Sequence, residues 1–404
     1  MRIRKAVLDG VFILGTPILF FAVCEATLRS IYPDRSFTYP EQTMGTDAVY
    51  HYNDAYIVSI KPNIKGSFTR QDVQGNGRVV EWTTNANSFR GPELREHHEF
   101  RIIVYGDSNI QACFSDLQDT FPYRLEEYLR RATAKDVEVI NAGVVGFGPD
   151  QSLIRFVQEA DIFKPDMVIV HIFADNDFGD IIRNRLFELN SSGELVTPGL
   201  RTKFSAFLSG LVITKATHKV LRMASLEKQP GDQETYTREL DTTARLLDVN
   251  EREYALYERK HSRMYSNFSD HYDIDLALYP EDKSSRTKIK LMDVILANAK
   301  TVADSKHIEF MVVIQPSSRD LTACRQPNYL EFSKYAGYRR DNLTAAVDDI
   351  CDKHDIPRVN LYDVFLQNNP DSLFIMMDSH WNEKGQDIAA EKVADYVSKY
   401  VLSH

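Results

Sequence analysis

The sequence predicts an α/β domain built on a parallel sheet with helices over both faces. Three observations predict it. Short apolar runs recur from residue 101 onward, amphipathic helical stretches separate them, and residues able to do chemistry cluster just after the runs. The runs are Ile102–Tyr105, Val137–Ile140, Met167–Phe173, Phe310–Ile314 and Ile356–Leu361. Continuous apolar runs of this length suit strands buried on both faces, where an alternating pattern would signal one solvated face. Between them, Leu125, Tyr128 and Leu129 form one helical stripe, and Ala389, Val393, Tyr396, Val397 and Tyr400 form another. Strands alternating with helices imply a parallel sheet covered on both sides. A catalytic domain over 100–404 is expected.

Upstream, residues 36–98 are turn-rich and β-leaning. Tyr56–Lys61 and Arg78–Trp82 read as extended, and Gly75-Asn-Gly77 between extended runs reads as a hairpin turn. This segment is expected to be a small β-rich accessory, not a catalytic core. Between about 185 and 285 the strand–helix alternation is interrupted. Phe204, Phe207, Leu208, Leu211 and Val212 make an apolar helical face, and a polar link follows at Glu227–Asp232. A helical insertion packing on the core is expected, with a lid or a membrane-resting surface as the second reading.

At the amino terminus, Arg2, Arg4 and Lys5 precede an apolar run from Val11 to Cys24. A bilayer span needs about 20 residues and a signal-peptide core about 7–15, so length fits either. No small-residue cleavage pattern follows, and the expectation is an uncleaved membrane anchor over 1–30, with a cleaved signal and a buried core helix as rivals. The three cations before the run would hold the terminus in the cytoplasm and place the rest on the extracytoplasmic side. There a Cys324–Cys351 disulfide is permitted. The four cysteines show no CxxC spacing, which excludes a zinc knuckle or a dithiol redox motif. A net charge of -10 argues against nucleic-acid partners.

In open parallel sheets, ligands sit beyond the carboxyl ends of the strands. The loops found there carry Gly106-Asp107-Ser108-Asn109, then Asn141-Ala-Gly143-Val-Val-Gly146-Phe-Gly148, then Ala174-Asp175-Asn176-Asp177, and finally Asp378-Ser379-His380-Trp381 before the last helix. Together they supply what acyl transfer through a serine ester needs. Ser108 is the candidate nucleophile and His380 the base that takes its proton. Asp378 would fix the imidazole tautomer and stabilise the imidazolium. The candidate oxyanion donors are the Ser108 N–H, the Gly146 N–H and the Asn176 amide. Each feature alone has a plain structural reading, as a turn, a loop or a helix start; their joint occurrence in order carries the inference. The glycine loop has the wrong order for a dinucleotide fingerprint. His171, inside an apolar strand, reads as a core histidine, His354-Asp355 lies at the opposite strand ends and reads as structural, and Cys113 lacks a neighbouring base.

These four blocks resemble those of the SGNH/GDSL hydrolase superfamily, over about residues 100–185 and 305–400. The resemblance implies a flavodoxin-like three-layer α/β/α fold, serine-ester chemistry at Ser108, His380 and Asp378, and Gly146 and Asn176 as oxyanion donors. No metal or organic cofactor is implied. Two positions depart from the family pattern: Asn109 stands where leucine is usual, and one residue instead of the commoner two separates Asp378 from His380. The Asp-x-His-Trp form looks like that of membrane-linked members that add or remove acetyl groups on exopolysaccharides. The expected function is an anchored extracytoplasmic esterase acting on an acyl ester, such as O-acetyl on a glycan or lipid. An O-acyltransferase and a non-catalytic glycan-binding protein are the alternatives.

Overall fold

The computed structural model describes residues 16, 19–24, 26–27, 49–53, 55–71, 77–184, 186–196, 272–281, 283–326, 332–375 and 378–402. The chain divides into two compact units, 1–43 with 198–238 and 44–197 with 239–404. In the first, residues 19–24 are helical and Leu19, Phe20, Phe21 and Val23 are exposed. Among the described residues no helix is long and apolar enough to cross a membrane. Most of the expected anchor lies outside them.

The second unit opens with two antiparallel pairs, β1 (Tyr50–Asn53) with β2 (Ile57–Ile60), and β3 (Lys65–Gln71) with β4 (Gly77–Thr83). A hairpin does lie at Gly75-Asn-Gly77, but its first strand is β3, while the extended run at 57–60 pairs with β1; most of the turn falls outside the described residues. Five parallel strands follow: β5 (Phe100–Tyr105), β6 (Val137–Asn141), β7 (Met167–Ala174), then, after the short pair β8 (Glu188–Leu189) and β9 (Leu195–Val196), β10 (Glu309–Pro316) and β11 (Arg358–Asn360). They lie in the order β11-β10-β7-β5-β6. The chain therefore starts beside the edge, takes the edge strand next, then crosses back to β7. The order reverses between β5 and β7, which is where loops diverge and leave room for a ligand.

Every residue of β7 is buried, as a strand with a covered sheet on both sides requires. The faces separate with period two. Ile103, Tyr105, Val168, Val170 and Ile172 meet the layer of α3 (Pro149–Phe163), α6 (Lys283–Lys306) and α8 (Asn342–Lys353). Ile102, Val104, Met167, Ile169 and Val313 meet the layer of α2 (Phe121–Thr133) and α10 (Glu383–Tyr400). The short helices α1 (Ser108–Gln111), α4 (Asp177–Asn184), α5 (Ile274–Leu278), α7 (Ser318–Leu321) and α9 (Tyr362–Gln367) complete the unit. The α2 stripe, Phe121, Leu125 and Leu129, is fully buried beside Ala389, Val393 and Val397 of α10. Gly385 permits the close approach of α10, because a Cβ there would fall 2.5 Å from the Leu373 carbonyl oxygen.

The structure adds detail to several expectations. The segment read as a β-rich accessory packs onto the site's own loops: Val49, Tyr56, Val58, Ile60 and Trp82 share a cluster with Cys113, Val144 and Phe147. The described start of the insertion is the β8–β9 hairpin, not helix, and the Phe204–Val212 face lies outside the described residues. The strand expected over 356–361 spans only 358–360. Cys351 is a buried free thiol, and the Cys324 side chain of the permitted disulfide lies outside the described residues. Packing of α2 on the sheet predicts that Leu125→Ala costs about 3 kcal/mol through lost burial and a residual cavity. Urea unfolding measures this, and a loss under about 1 kcal/mol would contradict the packing.

Candidate active site

The turn after β5 is built by two short-range demands. Gly106 must lack a side chain, since a Cβ would fall 2.6 Å from Ile110 Cγ1 and 3.0 Å from His171 Cβ. Asp107 caps α1 by accepting the Asn109 N–H at 2.9 Å. Ser108 is thus the first residue of a short helix at the carboxyl end of a buried strand. The next loop closes over it. A Cβ on Gly143 would fall 2.3 Å from the Gln111 nitrogen, Val144 N–H donates to Gly106 O, and Val145 N–H donates to Gln111 Oε1 at 2.6 Å. The accessory segment supports the same turn from behind. Arg90, buried, donates to the carbonyls of Gln111 (2.5 Å), Ala112 and Ser115 (2.6 Å).

His380 Nε2 lies 2.7 Å from Ser108 Oγ, and His380 Nδ1 lies 2.5 Å from Asp378 Oδ1. The single-residue spacing that departs from the family pattern has a physical use. The same Asp378 Oδ1 also accepts the His380 backbone N–H at 2.9 Å, so one carboxylate shapes the turn and orients the ring. Arg325 clamps that turn by donating to the carbonyls of Asp378 (2.6 Å) and Ile375 (3.1 Å). Ile375 N–H donates to His380 O, closing the loop.

Burial draws His380 toward its neutral form, but the Asp378 hydrogen bond and charge, with Asp107 and Asp175 adding to them, hold its pKa above 6.5. Burial likewise pushes Asp378 up, and its contacts with His380 and with the Ser379 and His380 N–H groups outweigh this, leaving it below the usual carboxylate value. Nδ1–H therefore donates to Asp378, and the Nε2 lone pair faces the Ser108 hydroxyl. A hydroxyl, imidazole and carboxylate in this order can ionise the hydroxyl and hold the resulting imidazolium.

Beneath the triad runs a buried polar chain that sequence reasoning did not single out. His171 Nε2 contacts Gln315 Oε1 at 2.9 Å, Gln315 Nε2 donates to Asn109 Oδ1 at 3.2 Å, and Asn109 Nδ2 donates to Asp107 Oδ2 at 3.1 Å. Trp381 donates its indole N–H to Asn109 O at 3.1 Å and its backbone N–H to Asn109 Oδ1 at 3.4 Å. Leucine at 109 would leave Gln315 and Trp381 without that side-chain oxygen, which explains asparagine there. Gln315, inside an apolar strand, was the available sequence signal. His171 is a buried strand residue bonded through Nε2 alone, its Nδ1 standing 3.6 Å from Asp107 Oδ1, and burial lowers its pKa.

The remaining candidates sit on adjoining loops. Gly146 adopts φ 73°, in the left-handed region that favours glycine, and its carbonyl accepts from Arg183 at 2.7 Å. Asn176 precedes α4, and its amide donates to Asp180 at 3.2 Å. Burial pushes Asp180 up to about 8, with Arg183 opposing. His354 is tied to Asp293 at 2.5 Å, at the end of α8. Burial pushes the Cys113 thiol up to about 11, leaving it a poor nucleophile. Among the described residues no group of three His, Cys, Asp or Glu side chains could hold a metal ion.

No family model matches the sequence, and no curated protein matches it. Among solved structures, the chain is similar to the psychrotrophic esterase EstA from Pseudoalteromonas sp. (12% identity, covering 76% of this chain and 100% of that one, TM-score 0.37). It is similar to an acetyl xylan esterase (12%, 74% and 100%, TM-score 0.37). A lipase/acylhydrolase from Enterococcus faecalis stands at 12% identity, 74% and 96% coverage, and TM-score 0.36. Other similar solved structures are a putative lipolytic protein of the G-D-S-L family and a GDSL-like lipase. At TM-scores below 0.5 these likenesses carry no argument, and the chemistry has to follow from this chain's own side chains.

The base must be neutral to accept the Ser108 proton, so activity should rise with pH through a midpoint above 6.5. In Asp378→Asn the burial effect is left unopposed by that carboxylate. The midpoint should move to lower pH, and kcat should fall on the order of 10⁴-fold as the tautomer is lost. A pH–rate profile of both proteins checks the direction, and an upward shift in the variant would overturn the assignment.

Proposed function

We propose that the chain is a serine esterase that cleaves an acyl ester through an acyl-Ser108 intermediate. The observation that carries this is the continuous hydrogen-bonded series from Ser108 Oγ through His380 to Asp378. In the first step Ser108 Oγ attacks the ester carbonyl carbon while His380 Nε2 takes the hydroxyl proton. The tetrahedral intermediate then collapses, the carbonyl re-forms, and the alcohol leaves with the proton from His380. Water repeats the sequence on the acyl-serine and releases the carboxylic acid. Asp378 stays ionised throughout and stabilises the imidazolium. The Ser108 and Gly146 N–H groups and the Asn176 amide are assigned to the developing oxyanion.

The Asp378-x-His380-Trp381 form supports an acetyl ester on a glycan as substrate. A sugar hydroxyl taking the place of water in the second step would make the same residues an O-acyltransferase. The cationic residues and apolar run at the amino terminus support an anchored, extracytoplasmic placement.

In the full chain, p-nitrophenyl acetate turnover should be lost in Ser108→Ala and fall steeply in His380→Ala. A fluorophosphonate probe should label the wild type and leave Ser108→Ala unlabelled. Turnover that survives in both variants would refute the assignment. A folded wild type that neither turns over ester nor takes the label would point to a binding protein that retains the fold.

A further inference from the structure

The oxyanion donors assigned outside the Ser108 turn come from two loops, Gly146 after β6 and Asn176 after β7. Strand pairing positions the start of each loop, but not one donor relative to the other. A single helix face makes that connection. From α4, the Arg183 guanidinium donates from one nitrogen to the Gly146 carbonyl at 2.7 Å and brings the other within 2.7 Å of Asp180 Oδ1 as an ion pair. Asp180, fully buried, accepts the Asn176 amide on its other oxygen at 3.2 Å. The path from Gly146 to Asn176 is therefore carbonyl, guanidinium, carboxyl, amide, its guanidinium–carboxyl step an ion-pair contact.

Two further contacts make the connection rigid. Asn184, the next residue of α4, donates to Gln151 Oε1 at 2.7 Å and Asp150 Oδ1 at 3.0 Å, and Gln151 Oε1 accepts the Gly148 N–H at 2.9 Å. A Cβ on Gly148 would fall 3.2 Å from Asp180 Cβ, so loop and helix are in direct contact. The Asn176 Oδ1 atom is buried with no hydrogen-bond partner among the described residues. The contact with Asp180 is thus what turns its amide, and the second amide hydrogen remains for a ligand.

We infer that Asp180 and Arg183 are positioning residues that hold the Gly146 and Asn176 donors in register for the oxyanion. The inference rests on the esterase reading above. A guanidinium suits the task because its planar fork serves two acceptors at fixed separation, which a lysine ammonium does not reproduce. Donors misplaced relative to the oxyanion weaken transition-state binding while leaving the neutral ester's binding nearly unchanged.

The test uses the full chain with p-nitrophenyl acetate, comparing wild type, Arg183→Gln, Arg183→Lys, Asp180→Asn and Ser108→Ala, each with a melting curve. Removing one donor outright costs about 10²–10³ in kcat, so Arg183→Gln should lose about 10–100-fold in kcat with KM within about twofold. The second-order rate of fluorophosphonate labelling should fall in parallel, because the phosphoryl oxygen occupies the same donors. Asp180→Asn should show the same split, and Arg183→Lys should recover part of the loss. A folded Arg183→Gln with wild-type kcat, or one altered only in KM, would overturn the inference. If Arg183→Gln does not fold, Arg183→Lys decides by the same criterion. Ester turnover persisting in Ser108→Ala would instead remove the esterase reading itself, which separates the two failures.

Discussion

Two hydrogen bonds from Trp381 to Asn109 join segments of chain 272 residues apart. Ser108 and His380 are the residues immediately before that pair. Their 2.7 Å contact is therefore not an independent feature; it follows from fixing their neighbours in a buried, apolar setting where polar groups left unpaired are costly. Trp381 is itself enclosed by Phe121, Phe365 and the His171 ring. The packing of α2 and α10 on one face of the sheet thereby reaches the geometry of the triad.

The site's electrostatics run in a consistent direction. Asp378, Asp107 and Asp175 all raise His380 against the pull of burial. Asp175 is in turn held by Ser317 Oγ and by Arg319 at 3.1 Å, and Asp107 by the Asn109 amide. Each carboxylate near the base thus has its own donors and does not compete for the imidazole. An imidazolium at His380 would meet a field already arranged around it, without reorganisation at that moment.

The accessory β segment changes its meaning once it is seen in place. Its composition marks it as an addition, and its strands are outside the parallel sheet. Yet Arg90 ties three carbonyls at the end of the nucleophile turn, and the Tyr50 hydroxyl lies 2.9 Å from Gln111 Nε2, whose side chain also receives Val145 N–H. It supports the wall of the site without entering the chemistry. Nothing in its own pattern marks this, because the partners are backbone carbonyls of a distant segment.

The sequence by itself determined the layered architecture and the loops where chemistry is concentrated. Both depend on local periodicity: continuous apolar runs for doubly buried strands, helical stripes for covering layers, and glycine where the backbone turns sharply. The candidate residues Ser108, Gly146, Asn176, Asp378 and His380 were legible because each lies in the segment after a strand or in the one before the last helix. What only the tertiary structure decided was how they are held. The Asn109–Gln315–His171 chain, the Arg325 clamp on the Asp378 turn and the Asp180–Arg183 link are contacts between polar side chains that periodicity leaves unassigned. Their partners lie up to 206 residues away in the chain, and a residue's hydrogen-bonding need says nothing of which distant group will meet it until the sheet order has brought the loops together.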